Sequence, residues 1–459
     1  MTHKPYPRYK ETGVKWIGKV PEHWEVKRLK HIADVRLSNV DKHTVEGQKI
    51  VRLCNYLDVY NNTHITSKIE FMSATASDSQ IKRLSLQKND VVITKDSEDP
   101  SDIGIPALVE EDIFGLVCGY HLAILRPIVA EGEFLHYLLQ SIFVRSAFEV
   151  EATGMTRYAL GKYSIENLIF ALPHQSEQKS IVSFLDQETS RIDNLISEKE
   201  RLISLLKEYR QALISHAVTK GLDPKVKMKD PGVEWLGEIP EHWKVKRLKH
   251  IADVRLSNVD KHTVEGQTVV RLCNYLDVYN NRLITSKVDF MTATASDEQI
   301  TRLSVRMDDV IITKDSEDPS DIGIPALVAE DIFGLVCGYH LAILRPTMSN
   351  GEFLHYFLQS IFVRSAFEVE ATGMTRYALG KYSIENLTFA TPPLTEQQSI
   401  ASFLDHQTSR IDTLISEARK FIDLLKEYRS SLITAAVTGK IDVREVVPSG
   451  SEKREIAHG

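Results

Sequence analysis

Two cations and two tyrosines crowd into the stretch TGMTRYALGKYS at 153–164: Arg157, Tyr158, Lys162 and Tyr163, with Gly154 and Gly161 among them. Ammonium and guanidinium groups neutralise phosphate, the guanidinium fork matches the acceptor edge of guanine, and glycine admits close approach. The set therefore suits backbone phosphates or base edges. It recurs unchanged at 372–383, with Arg376, Tyr377, Lys381 and Tyr382. A loop that only bridges a domain to a following helix would use the same residue types. A second stretch, ITKDSEDPSDIGIP, carries Lys95, Asp96, Ser97, Glu98 and Asp99, repeated as Lys314, Asp315, Ser316, Glu317 and Asp318. Carboxylates accept from cytosine amino groups, and Ser and Lys hold phosphate or base. A solvated acidic turn fits the stretch equally well. The basic cluster KRLKH at 27–31 and 246–250 offers Lys27, Arg28, Lys246 and Arg247 to phosphates, or else is a solvated helix face. Arg52, Asn55 and Tyr56, with Arg271, Asn274 and Tyr275, are weaker candidates, since a strand could turn them inward.

Other chemistries find less support. Glu22-His23-Trp24 and Glu241-His242-Trp243 lack a nearby third ligand, so the tryptophans are expected to pack against the domain. The phosphate-loop pattern is absent: Gly154 to Gly161-Lys162 is mis-spaced and ends in Tyr163. A self-contained adenine methyltransferase needs a glycine-rich cofactor turn and an Asn-Pro-Pro-aromatic loop, and the nearest string is TPPL at 391–394. Asp96, Glu98, Asp99 and Asp102 could hold Mg²⁺ as a metal-dependent DNA endonuclease would, but they lie on one stretch without the usual lysine-bearing strand motif. Cys54, Cys118, Cys273 and Cys337 form no CxxC pair and sit in apolar runs, as buried core thiols do.

The elements that must position these residues come in two copies. Trp16 matches Trp235, His31 matches His250 and Leu206 matches Leu425, always at an offset of 219 (235 − 16). Between 31–168 and 250–387, 20 of 138 positions differ, and 141–168 recurs intact at 360–387. A repeat of this size is a duplicated domain, not a solenoid. Each copy opens with short β-branched runs punctuated by Gly, Pro and Asn, plus one helical stretch, GEFLHYLLQSIFVRSAFEVE, which reads as an α+β domain.

Each copy then turns helical. From Ser176 to Thr219 there is neither Gly nor Pro, and Ile192, Leu195, Lys199, Leu202, Leu206, Tyr209, Leu213 and His216 follow a coiled-coil spacing. The second copy gives Ile411, Leu414, Ala418, Phe421, Leu425, Tyr428, Leu432 and Ala435. Thr395 with Gln398 fits a capping box, and Gly221 and Gly439 sit where the helices should stop. The second helix can return alongside the first, pairing the two seams antiparallel and setting the domains at opposite ends of a rod. Equivalent surfaces would then face DNA in opposite orientations, and identical readers would see an inverted repeat. The expected division is a first domain at 1–175, a helix at 176–222, a second domain at 223–394, a helix at 395–440 and a flexible tail at 441–459.

The openings ETGVKWIGKVPEHWEVKRLKHIADV and DPGVEWLGEIPEHWKVKRLKHIADV, the helix starts SEQKSIVSFLDQETSRID and TEQQSIASFLDHQTSRID, and the helix exits LLKEYRQALISHAVTKG and LLKEYRSSLITAAVTGK resemble type I restriction-modification specificity subunits over nearly the whole chain. The resemblance implies two target recognition domains, each followed by a conserved helix, and an antiparallel coiled coil that docks two methyltransferase subunits, joined by restriction subunits. It implies a chain that binds double-stranded DNA without catalysing a reaction. S-adenosylmethionine, ATP and Mg²⁺ would then belong to the partners and no cofactor to this chain. Members usually carry two unlike recognition domains; here the domains are more alike than the helices, of which 29 of 45 positions match between 176–220 and 395–439. Both half-sites should therefore be nearly the same, forming an interrupted palindrome.

Bulk properties agree with this. The 459 residues suit two to four domains, with 42% hydrophobic and 26% charged residues. A formal net charge of -7 places the basic residues locally and leaves partners to supply part of the grip on DNA. No apolar run reaches ~18 residues and the start MTHKPYPRYK is polar, so a cytoplasmic location is expected. A purely structural coiled-coil scaffold would not require two near-identical domains with paired basic-aromatic loops.

Overall fold

The structure, a computed structural model, describes residues 4–14 and 17–444, apart from the side chain of Glu234. Trp16 and all but the first four residues of the expected tail lie outside the described residues. The chain folds as two compact units, residues 1–199 with 420–459 and residues 200–419. Each contains one mixed α/β domain and a stretch of both long helices, Gln175–Lys220 and Leu394–Val437.

In the first unit the centre is a five-stranded sheet ordered Ala33–Leu37, Leu122–Pro127, Val91–Thr94, Pro106–Val109, His64–Ile65, with only the last pair parallel. Val91–Thr94 and Pro106–Val109 are buried at every position, which is why they read as unbroken apolar runs. Alternate side chains leave a strand on opposite faces. Val91, Ile93, Ala123 and Leu125 pack with the helix Gly132–Gln140 and the long helices. Val92, Ala107, Leu122 and Ile124 face a second core with the three-stranded sheet Leu116–Cys118, Lys49–Cys54, Met72–Ala76. The second unit repeats this order in Ala252–Leu256, Leu341–Pro346, Val310–Thr313, Pro325–Val328, Leu283–Ile284.

The Glu-His-Trp motifs are clamps between domain and helix. Trp24 is fully buried and donates its indole N–H to Glu177 on the first long helix (3.1 Å); Glu177 also accepts from Tyr6 (2.8 Å) and pairs with His23 (2.7 Å). The neighbouring Gln178 accepts from the Glu131 backbone N–H (2.9 Å) and donates to the Pro173 carbonyl (3.0 Å). In the second unit Trp243 donates to Glu396 (3.0 Å), His242 pairs with Glu396 (2.8 Å), and Gln397 accepts from Asn350 (2.9 Å). Thr395 is not a helix cap: the helix has already begun at Leu394, and the Pro393 carbonyl accepts from the Glu396 and Gln397 N–H groups. The first long helix stops at Lys220 because Gly221 turns to a φ of 78°, a left-handed conformation that costs glycine little.

Within each unit the two helices run antiparallel. In the first, Asp193 accepts from Arg429 (2.9 Å) while the Lys199 ammonium lies 5.4 Å from the Phe421 ring, so one number rises as the other falls. In the second, Arg210 donates to Asp412 (3.0 Å), and Gly221 abuts the Glu396 carboxylate. The seam has a different phase from the sequence reading. Ile192, Leu206, Leu213, Ile411, Leu425 and Leu432 are buried or half-buried, but Leu202, Leu414 and Phe421 are exposed, as are Tyr209 and Tyr428. Leu195 is half-buried beside Ile196, and the buried partners are Ile415 and Ile422, one residue on from the expected ones. Neighbours on a helix point about 100° apart, so of each apolar pair only one member can face the partner helix. Ile181, Leu185 and Ile192 are locked into the domain core and set the roll, which brings Ile196 and Ile203 inward.

Two histidines tie stability to pH. His136 and His355 are buried in the helices that cover each sheet, and burial pushes both imidazoles down to about 3. A depressed folded-state value means the unfolded chain binds the proton more readily. The associated stability is full above the unfolded value near ~6.5 and is lost as pH falls from there toward 3. At pH 5 each histidine should cost about 2 kcal/mol relative to pH 7. Thermal melts across this range should show the loss, and His136→Gln with His355→Gln should flatten it; an unchanged slope contradicts the burial account.

Candidate nucleic-acid interface

Two loops far apart in sequence form one surface. Asp96–Ser97 pairs antiparallel with Tyr158–Ala159, and the Leu160 N–H donates to the Lys95 carbonyl (2.7 Å). The projecting loop is closed by mutual backbone bonds between Thr153 and Ala159 (3.1 and 2.9 Å). Gly154 has a φ of 148°, and a Cβ there would stand 1.9 Å from the Arg157 carbonyl oxygen, so only glycine permits this turn. Met155 at the tip is 96% exposed and Arg157 is exposed beside it, which leaves a cation free to reach phosphate.

Beneath the loop lies a buried charge cluster. The Asp96 carboxylate accepts from the Lys95 ammonium (2.6 Å) and from Nδ1 of His121, and the same ammonium stands 4.6 Å from the Tyr120 ring centroid. Ser97 pairs with the Tyr56 hydroxyl (3.3 Å), and Tyr56 stacks on Tyr60. The second unit repeats each contact: Lys314 to Asp315 (2.7 Å), His340 to Asp315, Lys314 over Tyr339 (4.6 Å) and Tyr275 to Ser316 (3.3 Å). Arg376 also approaches Asp315 (3.4 Å). Lys95 and Lys314 are thus held inward by a carboxylate.

The remaining candidates gather elsewhere in the domain. Lys162 and Tyr163 open the short helix Lys162–Asn167, where Lys162 pairs with Glu166 (3.4 Å) and Tyr163 is well exposed. Lys27 and Arg28 end a strand, Glu25–Arg28, that pairs with Ile169–Leu172; they do not lie on a helix face. Lys27 pairs with Glu25 (2.5 Å), and Arg28 donates to Asn167 on that short helix (3.1 Å). Lys381 and Tyr382 likewise open Lys381–Asn386, and Arg247 reaches Asn386 (3.2 Å); Lys246 lies in the equivalent strand Lys244–Arg247. Asn55 and Asn274 are committed to capping, each in a box with Asp58 or Asp277.

The acidic stretch has structural duties. Asp99 caps the turn Pro100–Asp102 by accepting from the Ser101 N–H (2.9 Å), which also lowers its carboxyl titration. Among the described residues no group of three or more His, Cys, Asp or Glu is arranged to hold a metal ion. The four cysteines are buried free thiols, and burial pushes each one up.

Tyr120 and His121 carry little signal of this cluster in the sequence. They sit in GLVCGYHLAIL, a stretch legible as apolar core, and its one polar signal is an aromatic-histidine pair directly after a glycine. Positions that differ between the copies lie elsewhere. Arg282, where the first copy has Thr63, bonds Tyr356 (2.7 Å) and Asp405 on the second long helix (3.0 Å). Gln87 and Lys88, against Arg306 and Met307, form the turn before the Val91 strand, where their N–H groups bond Asp90 and Asp112.

A family model described as type I restriction modification DNA specificity domain matches residues 21–204 and again 240–420. The putative MjaX specificity subunit of Methanocaldococcus jannaschii is 25% identical over 455 residues, spanning 95% of this chain and 98% of that protein. The EcoKI specificity subunit of Escherichia coli K12 is 22% identical over 371 residues, 78% of this chain and 75% of that one. Among solved structures, a chain from work on complex assembly and conformational transition of the type I R-M system superposes with a TM-score of 0.69 at 17% identity, covering 92% of this chain and 99% of that one. The HsdS subunit of Thermoanaerobacter tengcongensis gives 0.53 at 18% identity, covering 92% and 98%. These two likenesses concern the fold.

Proposed function

This chain belongs to the type I restriction-modification DNA specificity family, and from that membership we propose that it is a non-catalytic subunit that directs two methyltransferase subunits, and the restriction subunits joined to them, to a bipartite site on double-stranded DNA. The observation that carries the reading is the exposed basic loop at 153–159 over the Asp96 cluster, built a second time from the same residue types at 372–378. S-adenosylmethionine, ATP and Mg²⁺ are assigned to the partners. The location is cytoplasmic; among the described residues no helix is long and apolar enough to cross a membrane.

The two half-sites are alike, because the stretches that build the loop cluster, 94–109, 116–127 and 141–168, are the same in both copies. They are inverted, because the offset of 219 carries Asp193 to Asp412 and Arg210 to Arg429, so the ion pair in one unit becomes that of the other with the helices exchanged. Methyltransferase docking is assigned to the outer stripe of the helices, Phe421, Leu424 and Tyr428 in the first unit and Leu202, Leu205 and Tyr209 in the second, all large apolar side chains left exposed.

The test is co-purification with the methyltransferase subunits followed by duplex binding at fixed salt. The complex should prefer the duplex methylated in cells carrying the gene over a shuffled one by about 10³-fold or more. Equal affinity for both, or adenine methylation by this chain alone, would overturn the reading.

A further inference from the structure

We propose that His121, supported by Tyr120, and His340, supported by Tyr339, are the base-reading residues of the two recognition domains. Each imidazole accepts a hydrogen bond from an exocyclic amino group, adenine N6 or cytosine N4, on a major-groove base edge. This rests on the DNA-recognition function above and names where in the domain a base is read.

The deeply buried Asp96 carboxylate needs a compensating charge and hydrogen-bond partners: the Lys95 ammonium supplies the charge, and Nδ1 of His121 supplies a second hydrogen bond. An ionised carboxylate only accepts, so the proton of that bond sits on Nδ1. With Nδ1–H committed, Nε2 of the neutral ring is the acceptor, and among the described residues nothing donates to it. The His121 side chain is 33% exposed, at the rim of a cleft of about 390 Å³ that it shares with Lys42, Asn55, Tyr56 and Tyr120. Tyr120, half exposed, stands edge-on to the imidazole at 5.0 Å and limits its swing from one side. The other side is fixed by the carboxylate.

The group complementary to a rigid acceptor is an N–H donor, and on major-groove base edges only adenine N6 and cytosine N4 provide one. Charge supports the same division of labour. Lys95 is neutralised by Asp96 and held over Tyr120, so the cluster offers direction with little net attraction, while Arg157 on the loop above offers attraction with little direction. A cluster built only to tie two strands together would not require a partly exposed ring with an unused acceptor, and both units have one.

Methylation mapping of cells carrying the chain with its methyltransferase partner tests this. His121→Ala should relax one position in one half-site, with discrimination there reduced roughly tenfold, and leave the other half-site unchanged. His340→Ala should do the same in the opposite half. The unaltered half-site and a thermal melt report whether the variant is folded, and His121→Gln provides a second variant of closer size should alanine disturb the loop. A motif unchanged in every folded variant, or a uniform fall in methylation with no change of motif, overturns the assignment. A wild-type chain with no gene-dependent motif would instead overturn the DNA-recognition function itself.

Discussion

Ile422→Asp should strongly destabilise the first unit, whereas Phe421→Glu, one residue away, should leave its stability nearly unchanged and cost it the methyltransferase. Ile422 is 6% exposed on the helix seam, and replacing it with a carboxylate both removes a buried aliphatic side chain and places a charge without a partner. The loss should be about 3–5 kcal/mol, a large part of the 5–15 kcal/mol that a domain has to spare. Phe421 is 44% exposed, and its ring lies 5.4 Å from the Lys199 ammonium, a cation–π pair of about 0.5–1 kcal/mol that a glutamate could replace with an ion pair. Its melting temperature should therefore move by only a few degrees. In the assembled complex, however, Phe421 stands in an apolar stripe with Leu424 and Tyr428, and a charge there should weaken partner association thirtyfold or more, on the order of 2 kcal/mol. Melting curves and titration with the methyltransferase separate the two effects. Equal destabilisation by both substitutions would mean the seam phase is wrong; wild-type association of Phe421→Glu would mean the stripe is not the docking face.

The second large effect concerns the loop cations. Arg157→Ala combined with Arg376→Ala should lower the affinity of the complex for duplex DNA by about 10–100-fold with little change in melting temperature, because both side chains are exposed and Asp315, which gives up Arg376 at 3.4 Å, keeps Lys314 and His340. If each neutralises one phosphate, the slope of log affinity against log salt should flatten by about 1.8. Undiminished affinity would remove the loop from the interface. A fall in affinity with an unaltered salt slope would move the contact from phosphate to base.

Architecture was legible in the sequence to the extent that it depended on repetition and local pattern. The offset of 219 announced a duplicated domain, the short β-branched runs announced the strands of an α+β domain, and the Gly-free and Pro-free stretch announced the long helix. What stayed hidden depended on contacts between distant residues. The seam phase turned on which member of pairs such as Leu414-Ile415 faces inward, and that is decided by Ile181 and Leu185, or Ile400 and Leu404, seated in the domain cores. The loops at 96–97 and 158–159 were both candidates, but only their antiparallel pairing makes them one surface. His121 was hard to read for the same reason: its meaning comes from Asp96, a residue in the distant strand Asp96–Ser97. KRLKH looked like a helix face because its charges have helical spacing, yet Lys27 and Arg28 are committed to a strand by pairing with Phe170 and Ile169.

On the proposed function, one pair of near-identical readers chooses the site. The most direct measurement is single-molecule methylation mapping of DNA from cells with and without the gene, in the presence of the methyltransferase partner. An interrupted palindrome with the same bases in both halves, methylated on adenine in each half and lost on deletion, is the predicted result. A direct repeat, or two unlike half-sites, would contradict it.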